Sequence, residues 1–591
     1  MPYSTHRLLA SLERHWLRWV LAAWLATAIW LLWDRWHPIT WFALSDTDDN
    51  LRFQQVRDWL GGQGWFDLRQ HRLNPPAGFD VHWSRLVDLP IAGLLLVLKP
   101  LLGAAWGERM AGAIAPMLPL GVIMTALALT VRRLVGARAW PLAIVFLLCA
   151  GSAMAMVRPL RVDHHGWQLA FLALTLAGLT DPRRARGGAI VGLATALSLM
   201  IGLELLPFAA MAGAIVGLRW VWDRGDARRL TAYAVTLGGG TALGYAAFAS
   251  FDNRVARCDA LTLVWLSVML LAGGLAFLLA LVPAERRTVR LAAAAAGAAI
   301  AAFYVIAWPQ CLGRLEGVSP ELAELWLNNV REAKPIYAHP FRMSFPIAVL
   351  PVIGLIGAIL STMLAWRTDR FASWAPITLF SAFACGMLLW QTRSGAAAQL
   401  LAIPGAVALA WIALPWSVTH RNLGIRLAGT LAIFLVVSGS FATLAIRYLP
   451  IDRPSAYTQS VNRAGARCPF ITNLAPLDRY PAATVFTHSD LGPRLIVTTH
   501  HRAVAGPYHR NGQAILDVHH AFDGSPETFH RIARAHGATL LLICPLMAET
   551  TLYRQRAPEG FYARVADGRV PAFLQPLPLP PGSPLRLYRI R

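Results

Sequence analysis

Apolar runs of roughly 20 residues recur along most of this chain, and that is the length a helix needs to cross a bilayer. Hydrocarbon offers no partner to backbone N–H and C=O groups. A chain built this way must fold as helices that pair those groups internally. Of 591 residues, 56% are hydrophobic and 15% charged, with mean hydropathy +0.46, where a soluble protein carries about a quarter charged residues. The chain reads as an α-helical polytopic membrane protein. The stretch 16–33 is a full first span without an A-x-A site, so no cleavable signal peptide is expected.

Arginine sets the expected topology, because short Arg-rich loops face the cytoplasm. The clusters are Arg7/Arg14, Arg132/Arg133/Arg138, Arg183/Arg184/Arg186, Arg224/Arg228/Arg229, Arg286/Arg287/Arg290, Arg367/Arg370 and Arg421/Arg426. Two spans separate each cluster from the next. Spans are expected near 16–34, 108–131, 139–157, 167–180, 188–203, 205–222, 230–250, 263–282, 291–308, 345–366, 371–390, 397–415 and 427–448, thirteen in all. The N-terminus is then cytoplasmic and the C-terminal segment external. In a bacterial cell, which the Arg/Ala-rich composition suggests, this is an inner-membrane protein with a periplasmic tail. The net charge of +22 is read as topology and lipid headgroup contact, and no nucleic-acid partner is expected. The run 87–103 is apolar but short and holds Pro90, Lys99 and Pro100. It is read as an interfacial helix on the outer leaflet; as a true span it would put Asp46 and Asp163 on opposite sides.

Two domains follow: a transmembrane part, 1–448, with long external loops 35–107 and 309–344, and an external α/β domain, 449–591. In the latter, short apolar runs at 483–486, 495–499 and 539–544 suggest strands, and 525–536 suggests a helix opened by Ser525-Pro526-Glu527. Four of six cysteines fall in external segments, where an oxidising compartment would allow the disulfides Cys258–Cys311 and Cys468–Cys544.

The external loops also hold the polar residues. Ser45-Asp46-Thr47-Asp48-Asp49-Asn50-Leu51-Arg52 places three carboxylates at the mouth of the first span. Grouped oxygens suit a hard divalent ion, Mg²⁺ or Mn²⁺; the alternative is a solvated loop. Arg161-Val162-Asp163-His164-His165-Gly166 lies in a very short external loop, where Asp163 and His165, two apart, can face one ion. Glu332 sits in the long loop 309–344, and loops this long are often functional; the alternative is an amphipathic surface helix over 320–332, which suits Glu321 and Glu324. Arg393 ends a span on the outer side and breaks the positive-inside pattern, as a phosphate-binding arginine would.

These four stretches, in this order, resemble the catalytic subunit of oligosaccharyltransferase, a GT-C glycosyltransferase with thirteen spans and an external C-terminal domain. Asp46, Asn50 and Arg52 match the family's D-x-x-x-N/H-x-R. Asp163 and His165 match its archaeal D-x-H. Val330, Glu332 and Pro335 fit the external-loop motif S-V-S-E-x-x-P, with Asn329 and Arg331 replacing the serines. The resemblance implies a metal on Asp46, Asp163 and His165, catalytic roles for Asp46 and Glu332, and a polyprenyl-(pyro)phosphate sugar held by Arg393 and Arg52. One departure stands out. Where the family has W-W-D-Y-G, which reads the acceptor's hydroxyl, this chain has Thr487-His488-Ser489-Asp490-Leu491-Gly492. Acceptor-side candidates are therefore Asp48, Asp49, His164, Asp490, Tyr508, His509 and Arg510, and the acceptor is a protein or a glycan. The competing class is a lipid or glycolipid transporter, which would place polar groups at mid-membrane. Glu204, inside the apolar region 199–208, is the one acidic residue that reads that way.

Overall fold

A computed structural model describes residues 10–449 and 454–591. Arg7, and residues 450–453 at the start of the external domain, lie outside the described residues. The molecule is mostly helical, with a small sheet domain near its C-terminal end.

Among the described residues, eight helices are long and apolar enough to cross a membrane, or nine if the pair Ile425–Val437 and Ser440–Tyr448 is one span. All thirteen expected segments are helical, but several are short. The expected span 139–157 is interrupted at Ala150, which leaves Trp140–Cys149 and Gly151–Ala155. His165–Leu179 and Leu206–Trp222 are also below full length. The expected span 427–448 bends by 96° at Gly439. Helix packing relies on small residues, as expected where lipid supplies no hydrophobic drive between helices. Helices Phe341–Leu364 and Gly395–Val418 approach so closely that a Cβ at Gly354 or Gly405 would run into the other helix's backbone.

The run 87–103 forms a hairpin with the residues that follow it. Helix Asp88–Ile114 is broken at Gly103, whose φ of 77° is a left-handed value that glycine adopts readily. The chain doubles back there, so that Gly107 lies against Lys99, and Lys99 Nζ sits 3.0 Å from the Glu108 carboxylate. This arm carries exposed Leu96, Val97, Leu101, Leu102 and Trp106. It does not separate the two acidic loops: Asp163 N–H donates to Asp49 Oδ1 at 2.8 Å.

The outer loop begins with helix Thr47–Leu60 and a two-stranded ladder, β1 (Arg69–Gln70) against β2 (Phe79–Asp80). The C-terminal domain holds β3 (Thr484–Phe486), β4 (Arg502–Ala503), β5 (Ala538–Ile543), β6 (Leu574–Leu577) and β7 (Arg586–Ile590), in the order β4-β3-β5-β7-β6. The β4-β3-β5 edge is parallel and the β5-β7-β6 edge antiparallel. Expected strands at 483–486 and 539–544 thus correspond to β3 and β5, and helix Pro526–Ala535 starts at Ser525, whose Oγ accepts Thr528 N–H. The run 495–499 is different: it belongs to helix Gly492–Thr498, whose Leu495, Ile496 and Val497 are all buried. An apolar run that short does not distinguish strand from buried helix. The surface helix expected over 320–332 stops at Leu325 and continues as 3₁₀ turns.

The loop after the first span and the C-terminal domain share a core. Leu51, Leu73, Phe79, Val81 and Trp83 pack with Leu474, Leu495, Leu542 and Leu587. Backbone bonds Asn74 N–H to Ala503 O and Ala503 N–H to Arg72 O lay the loop beside β4. The structure bonds Cys258 to Cys311, with Cα atoms 5.4 Å apart, and Cys468 to Cys544, at 6.2 Å.

Candidate functional site

Asp46 is the N-cap of helix Thr47–Leu60, its Oδ1 accepting Thr47 N–H at 2.7 Å. Capping fixes the carboxylate at the helix N-terminus, where the dipole favours negative charge. Asn50 Nδ2 donates back to Asp46 O at 2.5 Å, and Arg494 of the external domain donates to Asn50 Oδ1 at 3.2 Å. The first two residues of the D-x-x-x-N-x-R pattern therefore build one cap that the external domain holds in place.

Arg161 is the centre of the cluster. Its Nη1 reaches Asp46 Oδ2 at 2.8 Å and Asp49 Oδ2 at 3.2 Å, and its Nη2 lies 3.0 Å from Asp163 Oδ2. One guanidinium thus faces three carboxylates, and Asp48 lies near enough to feel Asp163 and Asp46. The imbalance shows in the acidities. Burial first, then the charges of Asp163 and Asp46, push Asp48 well up. Burial also raises Asp49, to about 7, with Arg161 opposing and Asp163 and Asp46 adding to it. Burial pushes Asp163 the same way, but His164, His165 and Arg161 overcome it and hold that carboxyl well below its usual range.

The structure separates roles that the sequence left open. Asp49 is fully buried and clamps the Asp163 loop, accepting from Asp163 N–H and Arg161. Asp48 is half-buried and accepts no hydrogen bond from a described residue. His164 has both ring nitrogens engaged, Nδ1 at 2.6 Å from Asp163 Oδ1 and Nε2 at 3.0 Å from Glu204 Oε1. Burial disfavours its charge, but Asp163 and Glu204 raise it to about 10. His165 is partly open, with Nε2 3.5 Å from Asp163 Oδ2. That oxygen is buried and has no aligned hydrogen-bond donor, Arg161 approaching off-axis. Asp163, His164 and His165 bring ligand atoms within 4.8 Å of one another at this under-satisfied oxygen, a donor set that fits a divalent metal, and Asp46 is joined to Asp163 through Arg161. A second group, Asp478, His500 and His501, fits less well: His501 Nδ1 accepts Ala483 N–H and its Nε2 faces Leu477 O.

Several expected residues lie elsewhere. Arg52 is fully buried, paired with Asp88 at 2.7 Å and stacked on Trp83, so it supports the loop and does not face a donor phosphate. His509 and Arg510 are locked on Asp259, at 2.6 and 2.7 Å, with Arg510 also on Asp80. They join the external domain to the outer loops and offer nothing to an acceptor. Tyr508 is buried on Phe79 and donates to Thr47 O at 2.9 Å, beside the cap. Asp490 is half-buried; burial, Glu549 and Asp46 raise it to about 8. Glu332 is exposed and its charged neighbour is Arg393, 3.9 Å away. Thr392 holds that loop by donating twice to Lys334 O, at 2.8 Å.

Glu204 corrects the mid-membrane reading. It lies in the turn between helices Arg184–Ile201 and Leu206–Trp222, against His164, with His82 Nε2 3.8 Å away. Gly202 and Pro207, on either side of Glu204, were the available signal of a helix break. Its partners come from tertiary structure alone.

The architecture corresponds to the fold of solved membrane oligosaccharyltransferase structures. No protein-family model matches the sequence, and no curated protein matches it. Among solved structures, the chain is similar to the archaeal oligosaccharyltransferase AglB of Archaeoglobus fulgidus. In a complex with an inhibitory peptide and a dolichol-phosphate, that protein superposes with TM-score 0.67 at 16% identity, covering 94% of this chain and 72% of that one. Tethered to an acceptor peptide with the NVT sequon, it gives TM-score 0.68 at 14% identity, covering 97% and 74%. A further structure of that enzyme holds Zn and sulfate, at TM-score 0.59 and 16% identity, covering 94% and 71%.

Proposed function

We propose that this chain is a membrane glycosyltransferase that moves a sugar or oligosaccharide from a polyprenyl-(pyro)phosphate donor to an acceptor at one face of the membrane. The observation that carries it is the excess of carboxylates around Arg161, set beside the exposed apolar arm at Gly103. Such a pair of features suits a reaction on the headgroup of a lipid. The fold likeness to an enzyme solved with dolichol-phosphate and with an acceptor peptide supports the same reading.

Asp46, Asp163 and His165 would hold Mg²⁺ or Mn²⁺, which when bound supplies Lewis-acid stabilisation to charge growing on the leaving phosphate. Arg161 keeps the carboxylates together. Arg393 and Glu332, 3.9 Å apart, are assigned to the substrates, the guanidinium being suited to phosphate oxygens and the carboxylate to an acceptor. Asp48, made a stronger base by burial and by the charges of Asp163 and Asp46, and free of hydrogen bonds from described residues, is the group we assign to take a proton from the acceptor, with Asp46 orienting it. The acceptor is a protein or a glycan. The turn Thr487–Gly492 contains the carboxylate of Asp490, has Glu549 beside it and holds no tryptophan, which suits a hydroxyl-rich or cationic group. Arg-rich loops and the two external disulfides support a cytoplasmic N-terminus and a periplasmic external domain in a bacterial inner membrane. The transporter reading loses its support with Glu204 at a turn.

The test is turnover of a radiolabelled undecaprenyl- or dolichyl-linked sugar in nanodiscs. We expect Mn²⁺-dependent cleavage of the sugar–phosphate bond, abolished by chelator and strongly reduced by Asp46→Ala. Movement of intact glycolipid between leaflets without cleavage would instead establish transport.

A further inference from the structure

Three groups outside the expected ligand set line up behind it. Glu204 Oε1 meets His164 Nε2 at 3.0 Å, and Glu204 Oε2 accepts from Gln168 Nε2 at 2.7 Å. Gln168 Nε2 also faces Gly202 O at 3.3 Å. Both partners of that nitrogen can only accept, so the amide has one satisfied orientation. Its carbonyl Oε1 must then point the other way, where it meets His165 Nδ1 at 3.3 Å. A carbonyl there requires a proton on Nδ1. The neutral ring is left with its lone pair on Nε2, the nitrogen that faces Asp163 Oδ2.

We propose that Glu204 is a positioning residue that sets the tautomer of His165 through Gln168, while its other oxygen braces His164 against Asp163. This deepens the glycosyltransferase reading and rests on His165 being a metal ligand. A ligating histidine needs its second nitrogen held by an acceptor, and losing that outer partner costs about 10- to 100-fold in metal affinity. A carboxylate is the group the geometry requires, because it accepts from two donors at once. The amide of Glu204→Gln has a single acceptor oxygen. Its N–H would turn Gln168 over, present Nε2 to His165, and move the histidine proton to Nε2. The arrangement also accounts for a glutamate in an otherwise apolar turn.

The experiment has two readouts on wild type, Glu204→Gln, Glu204→Asp and Gln168→Leu. Histidine ¹⁵N shifts of metal-free protein, with His165 assigned by His165→Asn, report the tautomer. Calorimetry with Mn²⁺ alone reports affinity. We expect the Nδ1–H form in wild type, the Nε2–H form in Glu204→Gln, and retention of Nδ1–H in Glu204→Asp. Mn²⁺ affinity should fall about 10- to 100-fold in Glu204→Gln and in Gln168→Leu. Gln168→Leu leaves the His164 contact in place and serves if Glu204→Gln does not fold. An Nε2–H tautomer in wild type overturns the proposal, as does a Glu204→Gln protein with unchanged tautomer and affinity. A tautomer that responds in a protein binding no Mn²⁺ upholds the relay and overturns the metal reading instead.

Discussion

The two ends of the helical bundle handle buried carboxylates in opposite ways. At the Arg-rich end, Asp181 is surrounded by Arg133 and Arg186, at 2.9 and 2.8 Å, and accepts Arg183 N–H; its backbone carbonyl takes Arg229. Burial pushes Asp181 up, but those hydrogen bonds and charges leave it lowered. At the other end several carboxylates surround the single guanidinium of Arg161, and Asp48 and Asp49 are raised. Cation excess around one carboxylate makes a staple, because every charge is compensated. His164 adds a second positive charge on Asp163, yet Asp46, Asp48 and Asp49 still outnumber the cations, and such an excess is costly unless a further cation joins it. The second arrangement, relieved in part by the raised Asp48 and Asp49, is the kind that marks a candidate functional site.

That contrast can be broken by substitution at each end. The largest effect is expected from Asp46→Ala, which should cut glycosyl transfer roughly a hundred- to a thousandfold while costing about 1 kcal/mol of stability through the lost cap. Turnover and thermal unfolding of one preparation check both. Asp181→Ala should do the reverse. It strips partners from guanidiniums at the Arg-rich end and should cost about 3 kcal/mol, with turnover per folded molecule unchanged.

Arg161→Gln sharpens the comparison. Arg161 competes with a divalent ion for the same oxygens, so its loss should tighten Mn²⁺ binding several-fold in calorimetry even as the metal-free protein loses stability. Arg133→Gln, with Arg186 still on Asp181, should leave Mn²⁺ binding unaltered. The smallest effect concerns pH. Asp490 holds its proton to about pH 8 in the folded state, against about 4 when unfolded. The folded state therefore binds more protons across that window, and stability falls as pH rises through it. Asp490→Asn should flatten that slope in unfolding curves recorded between about pH 5 and 8.

Much of this was legible in the sequence, because arginine placement fixes loop sides and Asp46 and Asp163 fall on one side by counting alone. The cysteine pairs followed from the same count. Arg52 shows the limit. It fits the motif, but only tertiary structure reveals that Asp88 and Trp83 enclose it. His509 and Arg510 read as acceptor-side candidates, and only tertiary structure shows them paired with Asp259, about 250 residues away. Helix Gly492–Thr498 read as a strand because apolar runs of that length carry no period. Glu204 was visible as an oddity, and what it touches lies on another helix.

The most direct measurement is Mn²⁺ calorimetry on wild type, Asp46→Ala, Asp163→Ala and Asp181→Ala in nanodiscs. The account predicts one binding event in wild type and in Asp181→Ala, and none in the other two. No binding by wild type, or equal loss in Asp181→Ala, would contradict it.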